Sequence, residues 1–256
     1  MNVMKHGCFM VSKEAKVKGR NAKPLSSSID FNWMYKAMRK RFGFLDWWPG
    51  ETTDEIVIGA ILTQQTNWKN VEKAIANLKV HGLLSIKAIA NADPYILERM
   101  VRPSGYYRQK AARLRNFSQY VVGNHGSLRR MLSQDAQSLR KELLGINGIG
   151  KETADSIILY ASEKPVFVID AYTIRIVDRV FGIEYKYDKL QAAIENSIER
   201  DVKLYKDFHA QFVELGKRYC KKEPVCSSCP LSAKCLYNRH LLSSFDEAQV
   251  TIKNYN

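Results

Sequence analysis

No stretch of this sequence is apolar over the length a bilayer crossing needs, and its first residues lack the apolar core of a secretory signal. The expectation is a soluble, cytoplasmic protein with no membrane association. Acid is the scarcer charge, with 26 Asp and Glu against 40 Lys and Arg and a formal net charge of +14. That surplus implies a polyanionic partner, nucleic acid first and an anionic membrane surface second. Cysteine is sparse outside one place, since of five only Cys8 precedes residue 220. A disulfide framework is therefore a poor fit, and a metal centre in a reducing compartment is a better one. Alternating strand patterns and internal repeats are missing too, while apolar residues recur at three- and four-residue steps. The fold class expected is all-α.

At 256 residues the chain can bury a substantial core as one large domain or two modest ones. Residues 1–28 are basic and aperiodic and close on Pro24 and Ser26-Ser27-Ser28, which suggests a flexible tail that either adds DNA affinity or only solubilises. Helical spacing begins at Ile29 and runs through Phe31, Met34, Tyr35, Met38 and Phe42 to Gly43. A loop, Asp46-Trp47-Trp48-Pro49-Gly50, follows, and its indoles are either core plugs or part of a site. About six helices are expected between 53 and 163: a first from Thr53, others at Val71 to Leu78, Leu84 to Ala90 and Pro94 to Met100, then one through Leu114 and one over Leu128 to Leu144. Residues 29–52 must then pack with 164–240, giving two helical lobes with a cleft between them and a tail at 241–256.

Three stretches carry chemistry. The first, Leu144 to Ala161, centres on Gly148-Ile149-Gly150, where glycines permit a tight turn and close backbone approach while Ile149 pins it to a core. A helix follows at once, so the turn's amides and the helix N-terminus form an anion site, suited on a basic chain to a phosphodiester. The second is Asp170, at the end of Val166-Phe167-Val168-Ile169 and the start of the next helix, where an acid is an N-cap or something more. The third is Cys220-x5-Cys226-x2-Cys229-x5-Cys235, four thiols in sixteen residues, a spacing that suits a four-cysteine zinc knot or a [4Fe-4S] cluster. Arg102, Arg108, Lys110, Arg113 and Arg115, interleaved with Tyr106 and Tyr107, make a phosphate-facing surface as well.

The run L-x-G-I-N-G-I-G-x-x-T-A followed by V-I-D resembles the helix-hairpin-helix DNA glycosylases of the endonuclease III superfamily, over residues 30 to 237 or so. The resemblance implies that the hairpin with Lys151 grips the DNA backbone and that Asp170 acts at the sugar of a flipped nucleotide. It implies that Gln65, in L-T-Q-Q-T, enters the space the base vacates, and that the loop with Arg102 and Tyr106 pries at the opposite strand. The cysteine loop then holds iron–sulfur, although its first interval is five residues where six is usual. Bifunctional members carry a lysine eighteen positions before the aspartate; here Glu152 stands there. Glu152 is either a second carboxylate coupled to Asp170 or a helix N-terminal acid favoured by the dipole.

Together with Trp47-Trp48-Pro49 and V-R-P-S-G-Y-Y, these motifs resemble most the endonuclease III-like 3-methyladenine DNA glycosylases, some of which lack the cysteine loop. That branch implies a monofunctional enzyme with an aromatic base pocket, here Trp47, Trp48, Pro49, Trp68 and Lys217, acting on double-stranded DNA as a monomer. Alternatives are an endonuclease III-type glycosylase and lyase, a mismatch thymine or uracil glycosylase with Tyr172 in its pocket, and a non-enzymatic DNA-binding module in which Asp170 only caps.

Overall fold

The computed structural model describes residues 29–45 and 50–241, and among them every regular element is helical. Helix α1 (Phe31–Phe42) starts at Asp30, whose carboxylate accepts the Trp33 N–H at 2.8 Å, and buries Phe31, Met34 and Met38 on one stripe. Helix α2 (Thr53–Leu62) is capped by Thr52 rather than Thr53 and is apolar on most sides, as a helix enclosed by others must be. Then come α3 (Trp68–Val80), α4 (Ile86–Ala90), α5 (Pro94–Val101), a 3-10 turn at Arg102–Ser104, and α6 (Tyr107–His125).

The single helix expected over Leu128 to Leu144 is two, α7 (Leu128–Leu132) and α8 (Ala136–Gly145). Asp135 breaks it, because its carboxylate accepts the N–H groups of Gln137 and Ser138 at 3.0 Å and so starts a new helix. With α9 (Lys151–Ser156), this part of the chain holds eight α-helices rather than about six, the surplus being short ones. From α9 the chain continues into a π-helical turn, Ile157–Ala161.

Two apolar clusters form. One draws on Val57 through Ile158 plus Val166; the other joins Met34 and Met38 of α1 to Leu159, Phe167 and residues as far as Leu231. The change of side falls between Ile158 and Leu159, inside the π-helical turn, so one helix is buried on both faces and separates the clusters. After it, residues 166–169 belong to no helix or strand, and the Phe167 backbone is satisfied by side chains. Helix α10 (Ala171–Phe181) is followed by α11 (Tyr187–Glu195), from which Glu195 accepts the Phe167 N–H at 2.7 Å and Gln191 donates to the Phe167 carbonyl at 2.7 Å.

Helix α12 (Val202–Arg218) is buried on nearly every side from Asp207 to Val213. Its Asp207 gathers Tyr35 Oη (2.6 Å), Arg39 Nη1 (2.9 Å) and the Leu45 N–H (2.8 Å), and Gln211 donates to the Gly43 carbonyl at 2.7 Å. These bonds fix the end of α1 and the chain as far as Leu45; Trp47, Trp48 and Pro49 lie outside the described residues, as do 1–28 and 242–256.

Candidate active site

Asp170 is both the N-cap of α10 and the centre of a buried polar group. Its Oδ1 accepts the Thr173 N–H at 2.7 Å and the Thr173 hydroxyl at 2.8 Å, so the cap occupies one oxygen. The other, Oδ2, faces His209 Nε2 of α12 at 3.6 Å. Behind the imidazole, Tyr160 Oη lies 2.6 Å from His209 Nδ1. Burial acts to raise the Asp170 carboxyl, but the facing imidazole and the two Thr173 bonds outweigh it and hold the group below its ordinary value. A carboxylate 8% exposed therefore remains charged.

Glu152, on the first turn of α9, is the second carboxylate at this point. It keeps contact with solvent, yet the protein crowded around it and then the charge of Asp170 raise its carboxyl, with His209 opposing. The coupling of Glu152 to Asp170 is present in the fold, and so is its place at a helix start; the two sequence alternatives coexist. Lys151, one residue earlier, turns the other way: its Nζ meets Asp188 Oδ2 at 2.5 Å and lies 5.8 Å from the Tyr187 ring centre.

The neighbouring walls are aromatic and close. Tyr172 packs on Gly216 so tightly that a Cβ there would stand 2.1 Å from Tyr172 Cδ1, and Arg175 lies 5.1 Å from the same ring. Lys217 follows Gly216 and is exposed; Trp68, the first residue of α3, is half-buried against the first apolar cluster.

The hairpin is held from two sides. Gly148 has φ +91°, and a Cβ on it would come within 2.5 Å of Arg113 Cγ, so this glycine is required. Gly150 has an ordinary φ of −89° and open space around it, so no backbone conformation demands glycine there. Ile149 is buried as expected. Gln64 donates to the Gly148 carbonyl and to Thr153 Oγ1, both at 3.0 Å, and accepts from Arg113. Gln65 instead is exposed with a left-handed backbone, φ +53°. Tyr106 shares that property, with φ +44° and 63% exposure; Arg102 lies 5.9 Å from the Tyr107 ring centre. The Gln65 and Tyr106 side chains are both held outward on backbone that costs roughly 1 kcal/mol or more each.

All four of Cys220, Cys226, Cys229 and Cys235 are half-buried and line one pocket beneath the C-terminal part of α10. Arg179 of that helix donates to Cys220 Sγ at 3.3 Å, and its carbonyl accepts from Cys235 Sγ at 3.4 Å. Burial, and then the other thiols, push Cys229 up to about 11, against a bond from the Leu231 backbone. Among the described residues no three Cys, His, Asp or Glu converge as ligands of a single metal ion. Four thiols lining one pocket are the donor set a metal centre would need.

Sequence reasoning reached Asp170 and Glu152 but missed His209, Tyr160 and Thr173. The available signal was Asp207-x-His209-x-Gln211, polar residues amid Phe208, Ala210 and Phe212, since polar groups on a buried helix need partners.

A helical hairpin presenting backbone amides, a basic surface and a buried charged aspartate define a helix-hairpin-helix DNA glycosylase. The family model described as "HhH-GPD superfamily base excision DNA repair protein" matches residues 58–200, and the chain belongs to that superfamily. A Methanocaldococcus jannaschii protein provisionally named a DNA repair glycosylase is 45% identical over 207 residues, covering 79% of this chain and 94% of the relative. The structure of Helicobacter pylori 3-methyladenine DNA glycosylase bound to 1,N6-ethenoadenine is similar at 32% identity and TM-score 0.65, covering 72% of this chain and 95% of that one. An endonuclease III trapped covalently on DNA shares the fold at TM-score 0.73 and 19% identity, covering 84% and 99%. Other relatives are named endonuclease III and thymine-DNA glycosylase.

Proposed function

We propose that this glycosylase is monofunctional and removes positively charged alkylated purines, of the 3-methyladenine type, from double-stranded DNA. The observation that carries the reading is the pairing of Asp170 with Glu152 where a lyase would present an amine, while the neighbouring Lys151 is engaged by Asp188. Breaking the N-glycosidic bond builds positive charge on the sugar, and the buried, ionised Asp170 stabilises it and orients the attacking water. Without an amine to attack the sugar carbon, the product is an intact abasic strand. Two carboxylates also favour a base that arrives cationic, and the electron-rich faces of Trp68 and of the Trp47-Trp48 loop, with Pro49, stack on it. Tyr172 and Lys217 complete that wall.

The hairpin with Lys151 and the surface of Arg102 bind phosphates, while Gln65 and Tyr106 enter the duplex. Residues 53–163 make one lobe and 29–52 with 164–240 the other, with the base pocket between them; the two apolar clusters follow this division except that Leu159 and Tyr160 join the second and Val166 the first. The four cysteines hold a [4Fe-4S] cluster, which supplies a fixed cross-link under the exposed Lys221, Lys222, Lys234 and Arg239. The enzyme works as a monomer on chromosomal DNA, in the cytoplasm.

A panel of lesion-bearing duplexes, scored for base release with and without alkali, tests the reading. Release of 3-methyladenine with strand breakage only after alkali is expected. The relatives named endonuclease III and thymine-DNA glycosylase favour a second reading, excision of oxidised pyrimidines or mismatched thymine and uracil. Excision of those bases with borohydride-trapped adducts, and none of alkylpurines, would replace the first reading by the second.

A further inference from the structure

One buried pair lies outside the roles assigned so far. Tyr160, in the π-helical turn, and His209, in the middle of α12, are 5% and 6% exposed, and their rings lie 5.7 Å apart. The π-helical turn inserts one residue into the helix running from the hairpin, and Tyr160 sits within the inserted turn. Tyr160 and Asp170 are thus linked through a single imidazole.

Burial, then the charges of Asp170 and Asp207, raise the Tyr160 phenol well above its ordinary value, so it stays protonated and can donate. If Tyr160 O–H donates to Nδ1, the imidazole is the neutral tautomer with its proton on Nε2, the atom facing Asp170 Oδ2. Resting on the reading of Asp170 as the catalytic carboxylate, we propose that Tyr160 and His209 are its positioning residues: they hold an N–H against the oxygen the helix cap does not use. A neutral donor fixes that oxygen without cancelling its charge. A protonated imidazole would form an ion pair and weaken the negative field at the sugar.

The titratable groups facing His209 are Asp170 on α10, Tyr160 in the π-helical turn, Glu152 on α9 and Asp207 on its own helix. Tyr35 and Arg39 of α1 address Asp207 instead. Removing the imidazole therefore leaves Asp170 buried near Glu152 with Thr173 as its donor among the described residues. Its carboxyl should rise, and activity should be lost at a higher pH on the acid side.

Full-length Tyr160→Phe, His209→Gln and His209→Leu proteins test this in single-turnover excision at saturating enzyme, across pH, with lesion-duplex affinity measured separately. His209→Leu should slow excision by about 10-fold, the effect of removing an N–H held 3.6 Å from a buried charge. Its acid limb should move to higher pH while affinity stays within a few-fold of wild type. His209→Gln, which keeps an N–H donor, should recover most of the rate, and Tyr160→Phe should fall between them. Equal losses in Gln and Leu, or unshifted acid limbs in both Leu and Phe, would overturn the proposal. Titration of the Asp170 carboxyl by carbon-13 NMR in substrate-free protein reads the same effect independently. An upward shift in the variants, in a protein whose wild type excises nothing, would fault the proposed function and leave the positioning pair intact. No shift there would sink the pair whatever the activity.

Discussion

Asp170→Asn separates the helix cap from the catalytic role proposed for the same side chain. Asparagine caps a helix as well as aspartate, and its Oδ1 can keep both Thr173 bonds, at 2.7 and 2.8 Å in the native protein. Its amide takes the place of Oδ2 opposite His209, where the imidazole can switch tautomer to accept. The expected stability change is under about 1 kcal/mol, roughly 2–4 °C in melting temperature for a chain of this size. The chemistry has no such substitute. A full charge about 4 Å from a developing cation, at an effective dielectric near 20, contributes about 4 kcal/mol, so single-turnover excision should fall roughly 10³-fold. Affinity for the lesion duplex should hold within a few-fold. Asp170→Ala is the complement: a similar rate loss with about 1–2 kcal/mol of added destabilisation from the missing cap. Excision by Asp170→Asn within tenfold of wild type would refute the argument and reduce Asp170 to a cap.

Gly150→Val should fold normally, because its φ is ordinary and nothing lies within 4 Å, yet bind lesion and undamaged duplex equally poorly in anisotropy titrations; loss confined to lesion DNA would contradict a phosphate role. Gly148→Val should also lose melting temperature, since its Cβ meets Arg113 and its φ is left-handed. Arg140→Leu leaves the fully buried Asp155 without its bidentate partner at 2.6 and 3.0 Å, and denaturant melts should show a loss of about 3 kcal/mol, an effect near zero being inconsistent with the buried pair. Purified protein should be brown with about four iron per chain, and stoichiometric zinc without iron in anaerobic preparations would overturn the cluster assignment. Trp68→Ala should slow release of charged alkylpurines more than that of neutral bases, and an equal loss on both would deny the indole a selective role.

Periodicity made most helices legible because their caps are local. Asp30, Asn67, Ser85, Asp93 and Asp201 each accept from a backbone N–H two or three residues on, so a short window holds both partners. The split at Asp135 follows the same chemistry, but the apolar spacing continues across it and hides the break. The π-helical turn at Ile157–Ala161 left no local mark, since its extra residue is set by having to present Ile157 and Ile158 to one cluster and Leu159 and Tyr160 to the other. Which cluster a residue joins depends on chain more than a hundred positions away in the case of Met34 or Phe212, and no window reaches that far.

The site divides along the same line. Asp170 and Glu152 could be found because each stands at a helix start beside a recognisable motif, and the hairpin's need for Gly148 is written in its turn. His209 lies 39 positions beyond Asp170 in a helix that reads as core. Its meaning appears only when α12 is laid against α10 and the π-helical turn. The carboxylate shows why this matters: Oδ1 is accounted for by sequence-local bonds to Thr173, while the state of Oδ2 is set by residues that only the tertiary fold brings near. A local cap fixes where the acid stands, and distant partners decide whether it remains charged. A short motif therefore identifies the glycosylase more readily than it explains how its aspartate is kept ready to act.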